Sequence, residues 1–120
     1  MGYGQKIWVF PDAERPPEGH NLIRGHESVI ILNTGETDAH VTITFYFEDK
    51  DPVTLPPVTV GALRVRCLRT GEENGFGKYT VSEGVQYAIT LESDVPVVAQ
   101  YGRAEPREIA FYTTPGYCKS

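Results

Sequence analysis

Strict alternation of apolar and polar residues over residues 41–47 constrains the fold of this 120-residue chain more than any other feature. The segment reads VTITFYF, and residues 85–91, VQYAITL, repeat the pattern. Successive side chains of a β-strand point to opposite faces, so a period of two predicts strands with one buried face. Two such segments in a short chain favour a fold built from antiparallel sheets.

Other short apolar or alternating segments are separated by glycine, proline, asparagine or aspartate, which is typical of strands and turns. The predicted further strands are residues 6–10, 28–32, 57–60, 63–68, 78–81, 97–101 and 109–114. The best helical candidate, residues 103–110, contains Pro106 and is limited to about one turn. We therefore predict an all-β fold: a single antiparallel β-sandwich domain of about eight or nine short strands spanning residues 1–120.

Charge and hydropathy exclude several classes of protein. The formal net charge is −5, whereas a nucleic-acid binder usually needs a basic surface, so we expect no nucleic-acid partner. The N-terminal region has only four consecutive apolar residues, at 7–10, and no apolar segment approaches the ~18 residues of a membrane span. We expect a cytoplasmic protein without direct membrane insertion. The two cysteines, Cys67 and Cys118, allow a single disulfide, but we expect reduced thiols, with Cys67 buried in its strand.

Motifs for catalysis and metal binding are weak in this sequence. The three histidines, His20, His26 and His40, are six and fourteen residues apart, and no His-x-His pair exists. None of the four serines lies in a Gly-x-Ser-x-Gly turn. We therefore predict no catalytic residues, no metal site and no cofactor.

The segment 28–47 resembles two strands joined by a seven-residue loop, and we interpret it as an antiparallel hairpin. The first strand would begin next to His26, and the second would begin at His40. The two histidines would then lie at opposite ends of the hairpin, roughly 20 Å apart at ~3.3 Å per residue. They could not share a metal within one subunit, and His40 is expected to organise the turn.

Five segments carry a resemblance to a known family. They are IWVF (7–10), GHESVIILN (25–33), DAHVTITFYFEDKDP (38–52), GALRVRCLR (61–69) and SDVPVVAQYGR (93–103). In their order and approximate spacing, these segments resemble the sensory rhodopsin transducer family. The resemblance implies a non-enzymatic β-sandwich that assembles as a homotetramer. It also implies either a receptor protein partner or a small polar ligand, such as a sugar or related metabolite.

The resemblance also supplies candidate ligand-binding residues. His26, Glu27, Gln100 and Arg103 match the family's recurrent polar residues, and Trp8 matches its aromatic residue. We hypothesise that the four polar side chains hold the ligand while Trp8 forms an apolar wall. The ligand or partner would then shift an equilibrium between conformations or assemblies.

Two alternatives stay open at this point. The first is a small β-sandwich enzyme acting on a sugar, with His26 as general base and Glu27 orienting it. Adjacent strand residues face opposite sides of a sheet, which argues against that pair. The second is a purely structural homo-oligomer whose aromatic and arginine side chains form subunit contacts.

Overall fold

A computed structural model describes residues 2–19, 24–71, 75–106, 110–114 and 116–120, and for 110–114 only the backbone is considered. Within these ranges the regular structure is almost entirely β-strand, which confirms the predicted all-β class. The strands are β1 (Gln5–Glu14), β2 (His26–Asn33), β3 (Ala39–Phe47), β4 (Val53–Thr54), β5 (Val58–Val60), β6 (Arg64–Arg69), β7 (Gln86–Glu105), β8 (Ala110–Thr114) and β9 (Tyr117–Lys119). A 3-10 helix covers Gly77–Tyr79. The described ranges contain no apolar helix of membrane-spanning length.

The strands form two antiparallel layers that share β7. In sheet A, the first half of β7 lies between β3 and β1, with β4 and β5 on the far edge of β3 and β9 on the far edge of β1. In sheet B, the second half of β7 lies between β2 and β8, and β6 pairs with the other edge of β2. This arrangement is the predicted sandwich.

The two halves of β7 run in opposite directions because the strand folds back near residues 94–97. Tyr87 and Tyr101 are fourteen residues apart, which would be about 46 Å along a straight strand at about 3.3 Å per residue. Both hydroxyl groups nevertheless lie 2.7 Å from the same oxygen of Glu27. The start and the end of β7 therefore meet at one end of the sandwich, called here the carboxylate end.

The core lies between the inward faces of the two sheets. In sheet A, Ile43 pairs with Leu91 and Phe45 with Ile89, and all four are at most 1% exposed. Sheet B contributes its own fully or almost fully buried side chains: Val29, Ile31, Leu68 and Tyr101. The alternation read from the sequence is thus the alternation between core and solvent.

The hairpin interpretation of residues 28–47 is wrong. β2 pairs with β6 and β7 in sheet B, whereas β3 pairs with β4, β5 and β7 in sheet A. The connection therefore crosses between layers, and buried Asn33 holds it by donating to the carbonyls of Thr37, Val60 and Gly61 at 2.8–3.2 Å.

The two histidines lie at opposite ends of the sandwich, although not of a hairpin. His26 pairs with Ala104 at the carboxylate end. His40 lies beside the fold-back, where its Nδ1 is 2.8 Å from Asp94 Oδ2 and its backbone N–H donates to Asp94 Oδ1 at 2.8 Å. His20 is outside the described residues.

Four local expectations also need correction. Residues 78–81 are not a strand, because Gly77 has a φ of +52° and starts the 3-10 turn. β1 continues past Phe10 to Glu14, since a register shift between Phe10 and Ala13 accommodates Pro11. Cys67 is exposed, because its neighbour Leu68 takes the inward position on β6. The helical turn expected at residues 103–110 is also wrong in its described part, because residues 103–105 end β7 and Ala110 begins β8. Residues 107–109 lie outside the described residues, and the remainder of the expected last strand is β8.

Candidate functional site

A fully buried carboxyl group lies at the carboxylate end of the sandwich. Glu27, in β2, is 0% exposed, and its Oε2 accepts hydrogen bonds from the hydroxyls of Tyr87 and Tyr101, both at 2.7 Å. Its Oε1 accepts a third from Thr70 Oγ1 at 3.2 Å. A buried carboxylate needs such donors because it has lost its hydration, and here three side-chain hydroxyls replace water.

Strand register explains why these groups meet. Glu27 and Arg103 are direct partners across β2 and β7, and Tyr101 is two residues before Arg103 on the same inward face. The fold-back of β7 brings Tyr87 in from sheet A. Thr70 follows β6, and its backbone N–H donates to the Glu27 carbonyl at 3.0 Å.

Burial dominates the electrostatics of this cluster. Desolvation raises the pKa of Glu27 above its ordinary value, against the hydrogen bonds from Tyr87, Tyr101 and Thr70 and the positive charge of Arg103, all of which lower it. The pKa values of Tyr87 and Tyr101 are also raised, first by burial and then by the charge of Glu27. Both tyrosines are therefore permanent donors, and Glu27 is the group in this cluster whose charge can change.

A polar cleft opens on the other side of Thr70. It has a volume of about 310 Å³, and basic side chains from three parts of the chain line it: Arg15 after β1, Arg24 and His26 at the start of β2, and Arg69 at the end of β6. We call it the arginine cleft. An arginine guanidinium matches a carboxylate, a phosphate or a pair of hydroxyl oxygens, so the cleft is suited to a small anionic or polyhydroxylated molecule.

Some of these cations are already engaged within the protein. Arg24 forms an ion pair with Glu18, which also lines the cleft. Arg15 donates through Nη1 to the Val81 carbonyl at 3.4 Å. These contacts fix the positions of Arg15 and Arg24 in the cleft lining. Arg69, at the edge of the cleft, is exposed to solvent.

Three of the five predicted ligand-binding residues lie at this end of the molecule. Glu27 is buried and Arg103, its cross-strand partner, is half-buried and donates to the Glu14 carbonyl at 3.4 Å. His26 lines the arginine cleft, and its Nδ1 is 2.9 Å from the Arg24 carbonyl oxygen. Thr70 separates Glu27 from the cleft.

The other two predicted residues lie elsewhere. Trp8 is 8% exposed, stacks near Phe10 and donates from Nε1 to the carbonyls of Gln5 and Val97 at 3.1 and 3.0 Å. Gln100 is exposed on the outer face of sheet B, where it pairs with Ile30. The structure therefore does not bring Trp8 or Gln100 to the other three residues.

The general base and orienting acid of the enzyme alternative are not joined. Among the described contacts, the carboxyl oxygens of Glu27 are bonded to hydroxyls and the Nδ1 of His26 to a backbone carbonyl. The two side chains take opposite sides of β2, as alternation predicts.

Sequence reasoning missed most of the residues that surround Glu27. Tyr87 and Tyr101 lie within the predicted strands 85–91 and 97–101 and carry no sequence signal of a polar role, and Thr70 and Arg15 belong to no motif. One signal was present in the sequence: an acid at an inward position of a buried strand indicates that hydrogen-bond donors are buried beside it. Which donors supply it depends on the fold-back of β7, which alternation alone does not reveal.

Comparison with known proteins agrees with this fold. A family model described as Anabaena sensory rhodopsin transducer matches residues 3–118. A structure described as that of Thermotoga maritima 1070 has 34% sequence identity with this chain and a TM-score of 0.82. The match covers 97% of this chain and 96% of the other chain. The Anabaena sensory rhodopsin transducer is 33% identical over 84% of each chain, with a TM-score of 0.70. No protein with a curated description matches. This chain therefore belongs to the Anabaena sensory rhodopsin transducer family.

Proposed function

We propose that this protein is a non-enzymatic cytoplasmic signalling module that binds a small polar metabolite in the arginine cleft. The observation that carries the proposal is the convergence of Arg15, Arg24, His26 and Arg69 around one cleft of about 310 Å³. In a chain of net charge −5, a local group of basic side chains favours an anionic ligand. A sugar acid combines the carboxylate and the hydroxyls that this lining can recognise.

The buried carboxyl group gives the cleft a means of responding to its ligand. Thr70 lines the cleft and donates to Glu27, so a ligand that bonds to the Thr70 hydroxyl competes with Glu27 for that donor. Loss of one donor destabilises the ionised form of Glu27. Ligand binding would thereby favour one protonation state, and with it one arrangement of the carboxylate end.

The family resemblance predicts a homotetramer, and the outer face of sheet B offers a surface on which subunits could associate. Val65, Leu32 and Val98 are cross-strand partners in one row across three strands, and they are 63%, 39% and 37% exposed. Three adjoining exposed aliphatic side chains on one sheet face form a surface that another protein can cover. We propose a second copy of this chain as the occupant.

The experiment for the cleft compares two arginines at opposite ends of β6. Arg69 lines the cleft, whereas Arg64 is exposed at the far end of the strand. We expect glucuronate, and not glucose, to raise the melting temperature of the wild-type protein, because a ligand of the folded state stabilises it. Arg69→Gln should weaken glucuronate binding by about fivefold or more, and Arg64→Gln should leave it unchanged.

Equal losses for the two variants, or no thermal shift across a screen of sugar acids and other organic acids, would contradict the ligand proposal. A further screen for turnover of the bound compounds tests the enzyme alternative. Conversion of any bound sugar that stops in His26→Ala would favour an enzyme.

A second candidate function is docking to a receptor protein, and one observation favours it. The 33%-identical relative is named as the transducer of a sensory rhodopsin, and the aliphatic row on sheet B offers a surface for a protein partner. Sedimentation of the wild type and of Val65→Asp separates the occupants. If the wild type is a tetramer and the variant is not, the row belongs to the subunit interface. If both are monomers, it is free for a receptor.

A further inference from the structure

We propose a second ligand site, on the sheet A side of the carboxylate end, that binds a small organic acid with an apolar body. A cavity of about 250 Å³ lies between the end of β3 and the segment that follows the 3-10 helix. Apolar side chains line most of it, including Phe47, Val53, Tyr79 and Val85. The site is separate from the arginine cleft, since no residue lines both.

The wall of this cavity is anchored in the core. Phe76, just before the 3-10 helix, is 3% exposed and packs edge-on against Phe45 with ring centroids 5.2 Å apart. The backbone N–H groups of Tyr79 and Thr80 donate back to the carbonyls of Phe76 and Gly77 at 2.9 and 3.0 Å. A wall held in this way keeps the cavity open before any ligand arrives, which reduces the ordering cost of binding.

Phe47 forms the opposite wall and is also held from behind. Its ring stacks on that of Tyr87 with centroids 6.3 Å apart and an interplanar angle of 23°. Tyr87 is in turn bonded to Glu27. A ring fixed in place by a buried residue offers a rigid apolar wall to a ligand.

Two lysines supply the positive charge of the site. The Nζ of Lys50 lies 4.3 Å from the ring centroid of Phe47, and the Nζ of Lys78 lies 5.3 Å from that of Tyr79. Both lysines line the cavity, one on each side. Among the described residues, neither ammonium group forms an ion pair with a carboxylate. An anion that enters between the two lysines would therefore meet positive charge on both sides.

The size of the cavity limits the ligand. A volume of about 250 Å³ corresponds to about eight water molecules at ~30 Å³ each. A molecule of about ten non-hydrogen atoms fits that space, which is the size of an arylacetate or a branched-chain acid. The hydroxyls of Thr80 and Ser82 also line the cavity. The complementary ligand is thus an apolar group that carries one carboxylate.

Phenylacetate is the probe for this site, and titration calorimetry is the measurement. We expect phenylacetate to bind with a Kd of about 1 mM or tighter, as suits a ligand of this size. Phenylacetamide retains the ring without the charge, and acetate retains the charge without the ring; both should bind at least about fivefold more weakly. Lys50→Gln and Lys78→Gln should each weaken phenylacetate binding by roughly fivefold.

Lys119→Gln is the matched control, because Lys119 is an exposed lysine in β9 on the opposite edge of sheet A. Val85→Trp should abolish phenylacetate binding by filling the cavity; Val85 is 37% exposed, so the larger ring need not enter the core. Melting temperatures confirm that each variant is folded. Arg69→Gln should leave phenylacetate binding intact, which distinguishes this site from the arginine cleft.

Three outcomes would overturn the proposal: no heat of binding with phenylacetate up to tens of millimolar, equal affinity for phenylacetate and phenylacetamide, or an equal loss in Lys119→Gln. Loss of phenylacetate binding in Arg69→Gln, with Val85→Trp unaffected, would assign the acid to the arginine cleft instead.

Discussion

Removal of the Tyr87 hydroxyl tests whether Glu27 is held as an ionised acceptor in the core. Tyr87 is 3% exposed and donates to Glu27 Oε2 at 2.7 Å, so Tyr87→Phe deletes one buried hydrogen bond without opening a cavity. A hydrogen bond to a charged group contributes about 1.5–3 kcal/mol to the free energy of unfolding. For a domain of this size the melting temperature should fall by roughly 6–12 °C.

The same substitution should be less costly when Glu27 is neutral. A hydrogen bond between neutral groups contributes about 0.5–1.5 kcal/mol, so the cost should be smaller in a Glu27→Gln background and at low pH. Chemical denaturation of the four proteins of this double-mutant cycle, at pH 5 and pH 9, measures the coupling. Tyr46→Phe is the control, since Tyr46 is 41% exposed and, among the described residues, its hydroxyl accepts a single hydrogen bond, from Thr90 Oγ1 at 3.3 Å.

The reasoning fails if Tyr87→Phe and Tyr46→Phe destabilise the protein equally. It also fails if the cost of Tyr87→Phe is the same with and without the Glu27 carboxyl group. Either result would mean that packing, and not charge, holds the carboxylate end together.

Three further outcomes are expected. The pKa of Glu27 is raised from 4.5 in the folded protein, so above pH 4.5 the folded state binds more protons than the unfolded chain. The free energy of unfolding should therefore fall as pH rises through the raised pKa. Glu27→Gln should remove this slope when denaturation is measured as a function of pH. Gly4→Ala should lower the free energy of unfolding by about 2 kcal/mol or more, because φ is +102° and the new Cβ would overlap a β7 carbonyl. Gly77→Ala has φ +52° but open space around it, so it should cost about 1 kcal/mol in the same unfolding assay. Both Cys67 and Cys118 should react with a thiol reagent in the native protein, because both are exposed; a thiol that reacts only after unfolding would contradict this.

Alternation allowed the sheets to be predicted, because it depends only on neighbouring residues. Val41, Ile43 and Phe45 face the core as the sequence indicates, and Glu27 and His26 take opposite faces. The pairing of strands depends on contacts far apart in the chain, which a local pattern does not encode. The assignment of β2 and β3 to one hairpin failed for this reason.

The candidate site was predictable only in part. Glu27, His26 and Arg103 lie together because β2 and the end of β7 are neighbours, whereas Trp8 and Gln100 came from the same resemblance and lie elsewhere. The arginine cleft could not be assembled from the sequence, since its residues come from the end of β1, the start of β2 and the end of β6. Charged residues in loops acquire partners only through the fold.

A single polypeptide segment that completes both layers restricts how this molecule can transmit information. Sliding of one layer over the other would require the corner at Asp94 to break its two bonds to His40 and to bend again. The two layers of the sandwich therefore resist sliding past each other, and any rearrangement on ligand binding is expected to stay local to the carboxylate end. A signal would therefore be carried by the surface of the protein: its clefts, its loops and the molecules docked on its faces.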